Sequence, residues 1–330
     1  MKEAMFYEEL EDKKVKCKLC PHNCIIKNNL TGICKVRKNI DGKLYSLNYG
    51  EITAINDDPI EKKPLFHFYP GEYVLSLGTW GCNFKCLFCQ NFEISQERPY
   101  SIYKLNPEDI VEMAIKRKTK IVAFTYSEPI VWYEFVYDTA KLLKEKDIKT
   151  VLVTNGYINK EPLLKLIPYI DAMNIDLKGF NDEFYKKIIG GKKEPVMEAI
   201  KLSFENNIHI EVTTLVVTNG NDNENELEEL FKWIGNISKD IPLHLSRYYP
   251  VYKYSESPTD IVKLKKIYNI ATNYLNYVYL GNVWDENYES TFCPECGTLL
   301  INRRGYNIKI QNIDDKGRCK SCLKKIPIIF

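Results

Sequence analysis

The chain has 330 residues, with 46 Lys and Arg against 44 Asp and Glu and a formal net charge of +2. That balance argues against a protein built to coat nucleic acid or an anionic membrane. With 45% hydrophobic and 27% charged residues, the chain can bury a full core, which excludes disorder and a collagen-like fold. The length suits about two domains, or one barrel of about 250 residues with appendages.

Eleven cysteines organise the sequence. Random placement would give about 0.4 Cys-x-x-Cys pairs, yet Cys17/Cys20, Cys86/Cys89, Cys293/Cys296 and Cys319/Cys322 are all present. An odd total at metal-ligand spacing is not a disulfide framework. The opening MKEAMFYEELEDKK lacks the apolar core of a secretion signal, and no run approaches the roughly 18 apolar residues of a membrane span. A reducing cytoplasm is the expected location, with no membrane and no nucleic-acid partner.

Residues 1–70 read as an N-terminal metal-binding segment with small strands. Cys17, Cys20, Cys24 and Cys34 supply four thiolates, with His22 as an additional nitrogen. Zinc is the first expectation there and an auxiliary iron–sulfur cluster the alternative. Lys43-Leu44-Tyr45-Ser46-Leu47 alternates like a strand after an Asp41-Gly42 turn.

From 71 to 287 the pattern is strand, loop, helix, repeated. Strands are expected at Val74–Gly78, Lys120–Phe124, Thr150–Thr154, Ala172–Asp176, His209–Val216, Leu243–Ser246 and Tyr277–Gly281, and helices at Ile130–Lys146, Glu224–Ile234 and Thr259–Asn273. Asn106-Pro107-Glu108-Asp109 and Ser257-Pro258-Thr259-Asp260 carry helix-start signals. Such repeated units predict an α/β fold with a parallel sheet curled into a partial or complete (β/α) barrel. Loops beyond the strand ends then face one cavity.

Residues 288–330 hold Cys293, Cys296, Cys319 and Cys322, with 22 residues between the two pairs. Cys-Pro-x-Cys-Gly is a turn that aims two thiolates at one point, so this tail reads as a zinc ribbon. Rubredoxin-like iron is the chemical alternative. Its Arg and Lys residues would suit a nucleic-acid or protein binding module without catalysis, but such a module explains nothing in the barrel.

The central triplet Cys82, Cys86 and Cys89 follows the first barrel strand. Three thiolates leave one site of a 4Fe–4S cluster open, whereas structural zinc takes four ligands. Gly81-Cys82-Asn83-Phe84-Lys85-Cys86-Leu87-Phe88-Cys89 resembles the Cys-x3-Cys-x-aromatic-Cys motif of radical S-adenosylmethionine (radical SAM) enzymes. The resemblance implies a 4Fe–4S cluster on these cysteines that reductively cleaves S-adenosylmethionine to methionine and a 5′-deoxyadenosyl radical, which takes hydrogen from a substrate. Thr125-Tyr126-Ser127-Glu128-Pro129 resembles the family's Gly-Gly-Glu-Pro segment, and with Tyr126-Ser127 in place of the glycine pair, backbone carbonyl contacts are expected to be kept and glycine-only geometry lost. Ser127 and Glu128 would receive the methionine ammonium. Thr154-Asn155-Gly156 and Asp176-Leu177-Lys178 resemble elements of glycyl-radical-enzyme activases, implying cofactor contacts by Asn155, Asp176 and Lys178. Phe88 would cover the adenine. His244 and Arg247 are the candidate catalytic or substrate-binding pair, while His209 is expected at the opposite, structural end of its strand.

Further segments, Cys17–Cys24, Gly32–Arg37, Asp58–Phe68, Gln90–Gln96 and Tyr279–Val283, resemble AmmeMemoRadiSam-type radical SAM proteins. This resemblance implies Memo-like and AMMECR-type partners and a low-potential donor such as ferredoxin or flavodoxin. The second reading is a glycyl-radical-enzyme activase acting on a partner protein.

Overall fold

In the computed structural model, which describes residues 1–330, the middle of the chain forms one eight-stranded sheet. Its strands in chain order are β1 (Ala54–Pro59), β2 (Tyr73–Gly78), β3 (Ile121–Phe124), β4 (Lys149–Thr154), β5 (Ala172–Asp176), β6 (His209–Val216), β7 (Leu243–Arg247) and β8 (Val278–Gly281). Each strand lies beside its neighbours in sequence. From β2 to β8 all pairings are parallel, and β1 is antiparallel to β2. The seven parallel strands fall within one residue of the sequence expectation at each end. They are apolar and covered on both faces, as the fully buried Ile-Val-Ala-Phe of β3 illustrates.

β1 is a departure. It comes from inside the stretch assigned to the N-terminal segment, so the boundary at residue 70 is crossed by the main sheet. Its sequence, Ala-Ile-Asn-Asp-Asp-Pro, is polar and half exposed, as befits a sheet edge protected by charge and proline.

Crossover helices are α1 (Pro107–Arg117), α2 (Tyr133–Glu145), α3 (Lys160–Leu166), α4 (Glu194–Glu205), α5 (Glu224–Ile237) and α6 (Ile261–Ala271). The signal at Asn106 is a full capping box with Pro107 in the first turn. The expected helix from Ile130 is split, with a 3-10 turn at Pro129–Trp132 before α2. Asp260, not Ser257, caps α6, accepting from Lys263 N at 2.8 Å. Thr259 is held back in the loop because its hydroxyl bonds both Val216 O and Tyr248 N.

Lys62 and Lys63, just past β1, and Asn282, just past β8, line one cavity, so the sheet is curled into a partial barrel that stays open between its edge strands. The C-terminal segment fills this opening. Its strands are Thr291–Phe292, Leu299–Arg304 and Asn307–Ile310. Tyr69 N donates to Ile329 O at 2.7 Å and Ile329 N to His67 O at 2.9 Å. The buried Arg303 reaches Phe66 O at 2.6 Å, and Tyr277 and Tyr279 share a small core with Cys293, Leu300 and Ile301.

At the other end of the chain, Arg37–Ile40 and Lys43–Ser46 pair as a hairpin. Asp41 and Gly42 both have positive φ, 52° and 88°, the requirement of the tight turn expected there.

Candidate active site

The loop beyond β2 carries the central triplet and rests on the N-terminal segment. Gly81 has φ +92°, and a Cβ there would lie 2.5 Å from Val36 Cγ1 and 2.9 Å from Cys34 O, so the contact requires glycine. Cys82 Sγ accepts from Phe84 N at 3.3 Å and from Asn155 Nδ2 at 3.7 Å. Cys89 Sγ lies 3.3 Å from Ser95 Oγ. Burial pushes the Cys86 thiol up to about 12 and the Cys82 thiol well above its ordinary range. Thiols so placed become thiolates only when a metal's positive charge offsets the loss of water. Their sulfurs do not gather within 4.8 Å of one another, as those of the C-terminal quartet do, so the triplet fits a multi-metal cluster better than a single ion.

The triplet opens on a cavity of about 660 Å³ at the C-terminal ends of the strands. Phe88, Ser127, Glu128, Asn155, Asp176, Lys178 and His244 all line it, and Arg247 does not. Arg247 donates from Nε to Thr259 O at 2.8 Å and from Nη1 to Tyr249 Oη at 2.9 Å. The loop carbonyl and Tyr249 thus hold its guanidinium outside the set of side chains that line the cavity.

Glu128 lines the cavity and is also bonded within the fold. Its Oε1 accepts from Ile130 N at 2.9 Å and Thr154 Oγ1 at 2.6 Å, and its Oε2 from Asn155 N at 2.8 Å. The carboxylate caps the 3-10 turn and pins the β4 loop, leaving little of its acceptor capacity for an ammonium. Burial pushes it up to about 7 against the pull of these three donors.

Tyr126 keeps what the glycine of the related motif would provide. Its φ is +73°, a left-handed conformation costing a side-chain-bearing residue about 1–2 kcal/mol. The ring is tied down by Tyr126 Oη donating to Asp58 Oδ2 at 2.5 Å, by Asn56 Nδ2 at 2.9 Å and by Lys63 Nζ over its face at 4.7 Å. Ser127 Oγ donates to Thr79 O at 2.8 Å. The backbone here is thus held in a glycine-like conformation by contacts of the Tyr126 side chain.

Asp176 and Lys178 lie on one side of the segment after β5, with Nζ 2.9 Å from Oδ2. Burial pulls the Lys178 ammonium down, but Asp176 and Cys86 hold it above its ordinary range. Phe88 stacks on Phe184 at 6.1 Å, with Tyr248 and Tyr254 edge-on. His244 Nε2 bonds Glu211 Oε2 at 2.7 Å, so its cavity-facing ring is held from behind.

Several contributors were not singled out in the sequence. Glu211, fully buried in β6, also accepts from Phe66 N, His67 N and His209 Nε2. Glu61, Lys62 and Phe66 wall the cavity from the β1 side, and Glu289, Gly305 and Tyr306 do so from the C-terminal segment. Glu61, Lys62 and Phe66 belong to the Asp58–Phe68 segment noted in the sequence, whereas Glu211, Glu289, Gly305 and Tyr306 are scattered and leave no spacing signal.

The C-terminal quartet has Sγ separations of 3.5 Å for Cys293 and Cys322 and 3.7 Å for Cys296 and Cys319. Four sulfurs about 2.3 Å from one ion would stand about 3.8 Å apart, so these thiols fit a tetrahedral metal site.

Residues 77–234 match the Radical SAM superfamily. Over 62% of this chain and 79% of the relative, the sequence is 30% identical to the putative glycyl-radical enzyme activating enzyme MJ1632 of Methanocaldococcus jannaschii. The chain belongs to the radical SAM superfamily. This radical SAM enzyme is also 48% identical, over the full length of both chains, to the uncharacterized protein MJ0808 of the same organism. Identity to the pyruvate formate-lyase 1-activating enzyme of Escherichia coli is 25%, over 48% of this chain and 68% of that one. Among solved structures, Streptococcus suis SuiB bound to S-adenosylmethionine superposes with a TM-score of 0.52 at 16% identity, covering 63% of this chain and about half (52%) of SuiB. That likeness concerns the fold. Radical SAM membership implies a 4Fe–4S cluster and S-adenosylmethionine, and when bound these supply one-electron cleavage of the sulfonium to methionine and a 5′-deoxyadenosyl radical. No helix is long and apolar enough to cross a membrane.

Proposed function

We propose that Cys82, Cys86 and Cys89 hold the 4Fe–4S cluster, that the cavity beside them binds S-adenosylmethionine, and that the chain is a radical SAM enzyme of the AmmeMemoRadiSam type. The observation carrying this reading is that Cys82, Cys86 and Cys89, of which Cys86 is buried and the others half-buried, open with the Asp176–Lys178 pair on the same cavity, with no fourth cysteine lining it. Lys178 is the cation for the cofactor's carboxylate. Asp176 would accept from ribose hydroxyls, Asn155 orients Cys82, and Phe88 offers an apolar ring to the adenine. The backbone at Tyr126-Ser127 supplies acceptors for the ammonium, with Glu128 positioning that loop against Thr154 and Asn155 rather than bonding the cofactor through a free carboxylate. His244 is the candidate substrate contact.

The C-terminal quartet, whose sulfur separations suit a single tetrahedral ion, is read as a zinc site from its Cys-Pro-x-Cys-Gly turn. A reducing cytoplasm, a ferredoxin- or flavodoxin-like donor, and Memo-like and AMMECR-type partners remain parts of this reading supported by composition and motif resemblance. The second reading, an activase that takes hydrogen from a partner protein, is favoured by the names of the relatives at 30% and 25% identity. A cavity of about 660 Å³ walled partly by the C-terminal segment is instead in the range of small-molecule sites.

Titrating anaerobically reconstituted protein with S-adenosylmethionine tests the assignment of Lys178. A charge-assisted hydrogen bond contributes about 1.5–3 kcal/mol, so Lys178→Ala should weaken binding roughly 10- to 100-fold. Arg247→Ala should leave it unchanged. Equal affinity for wild type and Lys178→Ala would remove Lys178 from the cofactor site.

A further inference from the structure

We propose that Cys17, Cys20, Cys24 and Cys34 hold an iron–sulfur cluster, not a single zinc ion, forming a second redox centre against the loop of the central triplet. The four cysteines, with Arg37 and Asn83, enclose a cavity of about 20 Å³, enough to admit a water-sized sphere. Sulfurs drawn in to about 2.3 Å around one zinc leave no such space between them. The same chain contains the contrasting case. The C-terminal thiols gather within 4.8 Å of one another, and no three side chains of the N-terminal set do so. In that respect the N-terminal quartet behaves like the central triplet.

An independent observation points to an anionic occupant. Arg37 is 1% exposed, lines this cavity, and bonds Glu134 Oε2 through Nη2 at 2.8 Å. Its Nε and Nη1 are buried and have no partner in the protein. Two orphaned guanidinium donors are costly unless something accepts from them. A cluster ringed by four thiolates carries net negative charge, and its sulfurs accept N–H hydrogen bonds.

The position gives the cluster a use. His22 Nε2 bonds Asn83 O at 2.8 Å, Asn83 Nδ2 bonds Tyr157 O at 2.8 Å, and Asn83 is the residue next to Cys82. Asn159 N also bonds Leu19 O at 3.0 Å, so the quartet is fastened directly to the triplet's surroundings. A one-electron, low-potential iron–sulfur or flavin carrier would reduce the quartet's cluster, which returns to its oxidised state by passing that electron toward the triplet. No bond forms or breaks in this exchange. Only this role, and not the presence of the cluster, rests on the proposed function of the triplet.

Metal and sulfide counts on the full chain, reconstituted anaerobically, test the proposal. Wild type should contain about eight irons and eight sulfides, with about one zinc, and a two-iron cluster in the quartet would still give about six irons. Cys86→Ala should retain about four irons, and those remaining irons separate this proposal from the fate of the triplet. A Cys24→Ala, Cys34→Ala double variant should lose the quartet's irons and keep about four. If that variant does not fold, electron paramagnetic resonance of the reduced wild type decides, with two interacting cluster signals expected. About four irons with two zincs in wild type, or a single isolated cluster signal, would overturn the proposal.

Discussion

Glu211→Ala is expected to lower the unfolding free energy by about 3–5 kcal/mol, the range for removing one partner from a buried charged network. The carboxylate is fully buried and accepts four bonds: Phe66 N at 2.9 Å, His67 N at 2.7 Å, His209 Nε2 at 3.0 Å and His244 Nε2 at 2.7 Å. Alanine would orphan all four donors at once and leave a cavity. The damage should reach the barrel's open side, since His67 O also receives Ile329 N. Burial pushes the carboxyl up, but His209 and His244 hold it well below its ordinary 4.5. An acid with a depressed folded pKa contributes fully above its unfolded value and loses that contribution only as pH falls through the folded one. The stability gap between variant and wild type should therefore persist at pH 5 and narrow only in stronger acid. Denaturant midpoints at neutral and acid pH measure this, and a change under about 1 kcal/mol at neutral pH would show that the network is not structural in this sense.

Stripping the metal from Cys293, Cys296, Cys319 and Cys322 is expected to unfold residues 288–330 while the barrel remains folded. A structural zinc contributes about 10–16 kcal/mol to a domain of this kind, and a segment with only seven buried side chains of its own in that small core is too small to fold stably without it. The main core, with 62 buried residues, lies elsewhere. Hydrogen exchange after strong chelation should collapse protection at Leu299–Arg304 and lower it at Tyr277 and Tyr279, which pack on the ribbon, with β3 and β4 unaffected. Because Glu289, Gly305 and Tyr306 wall the cavity, the stripped protein should also bind S-adenosylmethionine or substrate in a more open site. Unchanged protection of the ribbon would mean that the four thiols do not hold it together.

Much of this architecture is legible in the sequence because it is carried by local patterns. Buried parallel strands are continuous apolar runs, and cysteine spacings report convergent sulfurs before any coordinates. β1 escaped because an edge strand avoids the apolar pattern that identifies the others, and Asn56, Asp57 and Asp58 interrupt it. Tyr126 was expected to lose a glycine's backbone freedom, yet contacts from Asp58, Asn56 and Lys63, about 65 residues away in sequence, hold it at φ +73°. Glu128 and Arg247 had plausible positions in their motifs, and only the loops around them reveal that both side chains are engaged by the fold. Glu211 offered no signal, because a lone Glu in a strand suggests an exposed face when its partners are His209 on the same strand and Phe66, His67 and His244 in two distant segments.

The central claim concerns the triplet and its cavity, and product release on anaerobic reduction tests it most directly. Reconstituted wild type, mixed with dithionite and S-adenosylmethionine, should release methionine and 5′-deoxyadenosine in equal amounts, and Cys86→Ala should release neither. Release of both products by Cys86→Ala at the wild-type rate, or by neither protein once wild type is shown to carry its full iron, would contradict the account.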